Sequence, residues 1–283
     1  MEYEGQICRP PMERASFMLP VAVGCSYNRC TFCTLFKHLK FRELPLSQVE
    51  AELLRVKNLG GHPKQIFLGD GNPFGLPTER LYEILEMIRC YFPDCASVNM
   101  DATVTNISQK SDEELNRLHE LGVQELYLGI ECGTADVLAF MKKDHTIPEA
   151  YEQIGRLHAA GMAYNAHLMF GLAGAGRGIE NAENTAEFLN RATPKKIIDF
   201  SIFIHERAPL YRDIEAGRFV PATELENLLE ERRLLQCLTE PVESYDGFHD
   251  YLEVRTRGRL PEDKERMLAH LDEAILKEEG KAS

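Results

Sequence analysis

A chain of 283 residues with 32 lysines and arginines against 45 aspartates and glutamates carries a formal net charge of -13, which argues against nucleic acid or an anionic membrane as the main partner and leaves room only for a local basic patch. The length suits one substantial α/β core or two smaller domains, and no apolar run approaches the roughly 20 residues of a membrane span. The N-terminal Met1-Glu-Tyr-Glu-Gly5 is acidic where a signal peptide would be basic, and the eight unevenly spaced cysteines point to metal or redox use in a reducing, cytoplasmic setting, not to a disulfide framework.

Taken in chain order, short apolar runs alternate with amphipathic stretches. Strands are predicted over Met18-Gly24, Gln65-Gly69, Ser97-Asp101, Glu125-Ile130, Tyr164-Gly171 and Ile197-Ile204, most of them too continuously apolar for a strand exposed on one face. Between them, Ser47 with Glu50, Ser111 with Glu114 and Thr146 with Glu149 have capping-box spacing, and Leu81, Ile84, Leu85 and Ile88 mark one further helix. Six strand-then-helix units imply a parallel sheet with right-handed crossovers, either an open doubly wound sheet or a barrel. After Ile204 the pattern changes to a Gly217-Arg-Phe-Val-Pro221 turn and helices around Thr223-Leu238 and Pro261-Leu276, a tail expected to pack on the main unit.

The chemistry concentrates behind the first strand. Cys25, Cys30 and Cys33 lie in Gly24-Cys-Ser-Tyr-Asn-Arg-Cys-Thr-Phe-Cys33, where three thiolates can converge on one metal centre. Structural zinc takes four protein ligands, usually as two short-spaced pairs, and no second pair follows. An iron–sulfur cluster held by three thiolates keeps one iron open to a small ligand, the arrangement favoured here over a fourth ligand from His38 or Cys8. Loops at the C-terminal ends of parallel strands are where α/β folds build active sites. Asp70, Gly71 and Asn72 end the second strand and Glu131 ends the fourth. Gly171-Leu-Ala-Gly-Ala-Gly-Arg-Gly178 ends the fifth and fits neither the P-loop nor the dinucleotide fingerprint. His167 reads as a core histidine, and Asn99 and Asp101 on the third strand could reach the same cavity, which of them points inward being left open.

The cysteine loop, Phe67-Leu-Gly-Asp-Gly-Asn-Pro-Phe74, Leu126-Tyr-Leu-Gly-Ile-Glu-Cys-Gly133 and Met169-Phe-Gly-Leu-Ala-Gly174 together resemble, in order and spacing over about residues 15 to 205, the radical S-adenosylmethionine (radical SAM) superfamily. The likeness is greatest to the branch of anaerobic coproporphyrinogen dehydrogenases, methylthiotransferases and elongator-like proteins. The resemblance implies an α/β fold, a partial (β/α)6 TIM-type barrel over 1–205 with the cysteine loop at 24–33, followed by a mainly helical C-terminal extension over 206–283. It implies a [4Fe-4S] cluster on Cys25, Cys30 and Cys33, and S-adenosyl-L-methionine on its open iron. It further implies reductive cleavage to a 5'-deoxyadenosyl radical, and a reductant such as flavodoxin or ferredoxin as partner. Phe32 then resembles the aromatic near adenine, Asp70, Gly71 and Asn72 the segment that contacts the methionine amino group, Glu131 a ribose acceptor and Gly171 part of the adenine wall. The spacing departs from the family's common C-x3-C-x2-C by one extra residue between Cys25 and Cys30. The later cysteines do not cluster, so no second iron–sulfur cluster is expected, and the length leaves no room for the extra domains of methylthiotransferases. The substrate groove is expected along the fifth and sixth strands and the tail. The reading from another class is a non-catalytic iron–sulfur protein that transfers electrons or senses redox state.

Overall fold

The structure, a computed structural model, describes Glu4 and residues 8–282. The acidic N-terminal segment lies, Glu4 apart, outside the described residues. The chain forms two compact units, one built from residues up to Asn28 with Leu35–Leu128 and Glu152–Tyr164, the other from Arg29–Thr34, Gly129–Tyr151 and the residues from Asn165 on.

The first unit opens with β1 (Phe17–Pro20), β2 (Ala22–Val23) and β3 (Arg42–Glu43). The single strand expected over Met18-Gly24 is thus broken. Val21 donates its N–H to the Gly69 carbonyl at 2.6 Å, where the neighbouring strand ends, and the next two residues pair with β3 instead. Helix α1 (Leu46–Asn58) starts earlier than the Ser47 box implied: Pro45 stands at the N-cap with φ -56°, and Ser47 falls inside the first turn. A preset φ and a missing N–H suit proline to a helix entrance. Strand β4 (Gln65–Gly69) and helix α2 (Thr78–Tyr91) follow, and Leu81, Ile84, Leu85 and Ile88 of α2 are fully buried, each contributing about 1.5–3 kcal/mol. Then come β5 (Ser97–Ala102), α3 (Val104–Ser108), α4 (Asp112–Glu120) and β6 (Val123–Glu131). The predicted box at Ser111 and Glu114 closes α4 reciprocally, at 3.2 and 2.6 Å. Strands β1, β4, β5 and β6 are parallel neighbours in that order, with Leu19 opposite Leu68, Phe67 opposite Asn99 and Met100 opposite Leu126.

In the second unit, α5 (Ala135–Phe140) follows the last residues of β6, and α6 (Ile147–Ala159) begins there at the predicted Thr146–Glu149 box and continues into the first unit from Glu152 on. Strand β7 (Ala163–Phe170), helix α7 (Gly178–Ala192) and strand β8 (Lys196–Ser201) continue the alternation, and β7 and β8 are parallel. The tail holds α8 (Tyr211–Glu215), α9 (Glu224–Cys237), β9 (Val242–His249), β10 (Val254–Leu260) and α10 (Lys264–Ala282). It therefore contains two strands that were not expected: β9 pairs parallel with β8, and β10 runs antiparallel to β9. Strand β10 shows arginine at alternate positions and β9 is interrupted by Glu243, Ser244 and Asp246, so neither has the apolar runs that marked the six core strands. The expected division at 205/206 falls inside this unit. Cys132, Val137, Leu138, Met141, Met169 and Leu172 form part of its core.

Candidate cofactor site

In the first unit, the start of the cysteine loop is tied to the end of β4. Asn72 accepts the Ser26 N–H at 2.8 Å, and its amide nitrogen donates to Ser26 Oγ at 3.0 Å and to Asn106 Oδ1 at 2.8 Å. Asn106 in turn donates to Ser26 Oγ at 3.3 Å. The Asn72 carboxamide is thus engaged by the loop itself, which makes it a positioning group. Gly71, at φ +88°, lies so close to the loop that a Cβ there would overlap the Gly24 carbonyl oxygen. Asp70 remains the open acceptor: it is 2% exposed, its Oδ1 has no hydrogen-bond partner, and burial pushes its carboxyl up to about 6. Asp101 faces the same carboxyl. Burial first, then the charges of Glu13 and Asp70, hold it well above the usual carboxylate range. Asn99 instead reaches the buried Glu13 at 2.7 Å, which also accepts from Tyr127 at 2.8 Å.

Cys30 and Cys33 belong to the second unit. Thr31, between them, donates its N–H to the Met141 carbonyl at 3.0 Å and accepts the Leu210 N–H at 2.9 Å, so this stretch is pinned from two sides. Phe32 packs against the core formed by Cys132, Met141 and Leu172, filling the plug role that an aromatic body allows. Glu131, at the end of β6, is 9% exposed and sits at φ +66°, a left-handed conformation costly for a side chain with a Cβ and one that concentrates at functional sites. Its carboxylate accepts from Lys143 Nζ at 3.0 Å, and Asp144 lies 3.5 Å from the same ammonium. Burial pulls the Lys143 pKa down, but Glu131, Cys30 and Asp144 outweigh it and hold the ammonium above its ordinary range. Burial raises the Cys30 thiol to about 11, Lys143 works against that rise, and Glu131, Cys33 and Asp144 add to it. His167, desolvated and beside Lys143, is pushed down to about 4 and stays neutral.

The glycine segment after β7 is bound by the tail. Gly171 donates its N–H to Glu230 at 2.9 Å and Gly176 to Glu226 at 2.7 Å, and a Cβ on Gly171, at φ +77°, would meet Asn227 Oδ1 at 2.6 Å. A groove beside it is lined by Phe140, Leu172, Arg177 and Phe219, with the two phenylalanines stacked at 6.1 Å. Lys143, Ser26 and Asn106 were not anticipated from sequence. For Asn106 a signal existed, since Thr103 and Asn106 have capping-box spacing and form one. Lys143 is one basic residue among several, and only folding puts it beside Cys30.

Among the described residues no group of three or more His, Cys, Asp or Glu side chains is arranged to hold a metal ion, and no disulfide forms. The donor chemistry nonetheless fits a cluster: three half-buried thiols on an irregular loop, with Cys30 and Cys33 in each other's field.

Strand-end loops carrying thiols on a largely parallel α/β scaffold define a cysteine-loop protein of the TIM type. The family model described as Radical SAM superfamily matches residues 19–189, and the chain belongs to that superfamily, whose enzymes bind a [4Fe-4S] cluster and S-adenosylmethionine and need an external reductant. It is 25% identical over 232 residues to the heme chaperone HemW of Bacillus subtilis (strain 168), an alignment that covers 80% of this chain and 58% of that protein. The chain thus spans less than two thirds of this relative's length. Among solved structures, coproporphyrinogen III oxidase (HemN) from Escherichia coli, a radical SAM enzyme, is similar with a TM-score of 0.57 at 16% identity, over 78% of this chain and 50% of that one. The archaeal Elp3 of Methanocaldococcus infernus is similar with a TM-score of 0.54 at 16% identity, over 80% and 55%. These likenesses show the fold. Among the described residues no helix is long and apolar enough to cross a membrane.

Proposed function

We propose that this chain is a radical SAM enzyme that holds one [4Fe-4S] cluster on Cys25, Cys30 and Cys33. The observation that carries the reading is the thiol loop lying within residues 19–189, the stretch that matches the superfamily. When bound, the cluster and S-adenosylmethionine supply one-electron cleavage of the sulfonium and a 5'-deoxyadenosyl radical that abstracts hydrogen from substrate.

The chain's own residues bind, orient and balance charge. Asp70, buried and with an open oxygen, accepts the methionine ammonium, and Gly71 lets the strand end approach closely. Asn72 acts one step removed by fixing Ser26, next to Cys25. Glu131 is the candidate ribose acceptor, held in place by Lys143, whose ammonium offsets the negative charge gathered by the thiolates and carboxylates around it. Phe32 and Gly171 form parts of the adenine wall. The catalytic core is residues 1–205, with 206–283 as an extension that completes the substrate surface with β7 and β8. The electron comes from a flavodoxin or ferredoxin, in a cytoplasmic setting.

The test is anaerobic reconstitution with iron and sulfide, followed by dithionite and S-adenosylmethionine. Formation of 5'-deoxyadenosine and methionine is expected. An intact cluster that yields neither product rejects the enzyme reading in favour of electron transfer or redox sensing. Stoichiometric zinc without sulfide rejects both.

A further inference from the structure

Strand alternation settles which side chains share the face of β8, β9 and β10 turned away from α9 and α10. Tyr245 and His249 hydrogen-bond Glu231 of α9 at 3.1 and 2.8 Å, and a Cβ on Gly247 would run into the same carboxylate, so Asp246 and Phe248 point the other way. Ser201 reaches His249 at 2.8 Å, which leaves Lys196 and Phe200 of β8 on the face of Asp246 and Phe248. On β10, Thr256 and Leu260 are buried and a Cβ on Gly258 would meet Asp263 and Met267, while Arg255, Arg257 and Arg259 are all exposed. Arginine therefore recurs at every second position of β10, on a single face.

The charges on that face do not balance. Asp246, 5% exposed, is gripped by Arg255 at both oxygens, 2.7 and 2.6 Å, and touched by Arg257 Nε at 3.1 Å. One carboxylate thus answers two guanidinium groups, and Arg259 adds a third cation. Asp250 acts on Arg255 from further away, and Asp263, which acts on Arg259, is itself paired with Arg266 at 3.0 Å. Arg257 uses one of its five N–H donors on Asp246. Beneath the arginines lies an apolar floor: Arg255 rests on the Phe248 ring at 5.4 Å, and Phe248 stacks on Phe200 at 5.8 Å. A concentration of unbalanced arginine in a chain of net charge -13 marks a recognition surface rather than a generally basic exterior.

We propose that this face recognises a small-molecule substrate by its carboxylates: at least two of them, set about 6.7 Å apart like alternate residues of a strand, on an apolar body that lies over Phe200 and Phe248. The bidentate grip of Arg255 on Asp246 is the internal example of the geometry, and Arg257 and Arg259 are the arms left to the ligand. Calling the ligand a substrate rests on the radical SAM reading, whereas the binding does not.

The test is isothermal titration of the cluster-reconstituted protein with terephthalate, a rigid aromatic dicarboxylate, comparing wild type, R257Q/R259Q and R233Q, the last removing a half-buried arginine of α9 that pairs with Glu183. Saturable binding by wild type is expected, weakened at least about tenfold in R257Q/R259Q and less than about twofold in R233Q. R259E, a change on an exposed side chain, gives the same reading if the double variant does not fold. Equal affinity in wild type and the β10 variants, or no saturable binding by wild type, overturns the proposal. Production of 5'-deoxyadenosine by wild type, assayed separately, reports on the radical reading alone, so the two can fail independently.

Discussion

The end of β4 in the first unit and the end of β6 in the second are secured by opposite kinds of interaction. At the end of β4, Asn72, Ser26 and Asn106 form a closed set of neutral hydrogen bonds, each 2.8–3.3 Å long, with no formal charge among them. At the end of β6, Glu131, Lys143 and Asp144 form a buried ionic group whose members are at most 10% exposed at the side chain. A neutral network fixes the position of the loop backbone and is indifferent to what charge the thiols carry. An ionic one responds to that charge, because the field of Lys143 at Cys30 changes the cost of holding a thiolate there. Geometry is thus secured by the first and charge by the second.

The largest effect should come from the loop itself. Cys30→Ala is expected to abolish the brown chromophore's response to S-adenosylmethionine and all 5'-deoxyadenosine formation, read by chromatography after dithionite reduction; retained cleavage would show that Cys30 is not a ligand. Next in size is the ionic group. Lys143→Met leaves Glu131 and Asp144 buried without their cation and should cost about 3–5 kcal/mol in chemical denaturation. The double variant Glu131→Gln with Lys143→Met should recover part of that loss, because it removes one of the stranded charges along with the cation. A single-variant loss under about 1 kcal/mol would place Lys143 among ordinary surface pairs and break the contrast between the two strand ends. Asn72→Ala comes third. It leaves the Ser26 N–H and hydroxyl and Asn106 short of partners and should cost about 1–3 kcal/mol, with lower cluster occupancy after reconstitution because Cys25 is adjacent. Unchanged occupancy at unchanged stability would mean that the loop needs no such latch.

The asymmetry also explains what was legible before folding. Strand β4 coincides with its predicted run and four other core strands differ by a few residues at their ends, because strands buried on both faces leave continuous apolar runs in the sequence, whereas the first predicted strand breaks into β1 and β2. Strands β9 and β10 left no such run: Val254-Arg-Thr-Arg-Gly-Arg-Leu260 shows arginine at every second position, and Glu243, Ser244 and Asp246 break up β9. The helix caps at Ser111 and Thr146 were local and read correctly, whereas Ser47 lost its place to Pro45, whose backbone restriction acts before any side-chain bond is made. Asp70, Asn72 and Glu131 stood out in the sequence because they lie at or just beyond strand ends. What they do was not readable, since Asn72 answers to Ser26 and Asn106, 46 and 34 residues away, and Glu131 answers to Lys143, which the strand pattern does not mark.

The smallest effect belongs to Asp70, the carboxyl at the β4 strand end whose Oδ1 no hydrogen bond engages. Its folded pKa, about 6, lies above the ordinary 3.8, so the folded chain holds a proton that the unfolded chain has already released between those values. The unfolded state binds fewer protons there, and stability therefore falls as pH rises from about 4 to about 6, then levels off. Asp70→Asn removes that slope. Ligand affinity should show the opposite trend: an ammonium needs the carboxylate, so S-adenosylmethionine binding by wild type should weaken as pH drops below about 6, while the variant binds weakly and without that pH dependence. Equilibrium dialysis of the reconstituted protein between pH 5.5 and 8 measures this. A wild-type affinity that stays flat across the range would take Asp70 out of the ammonium site and leave the β4 end with a purely positional role.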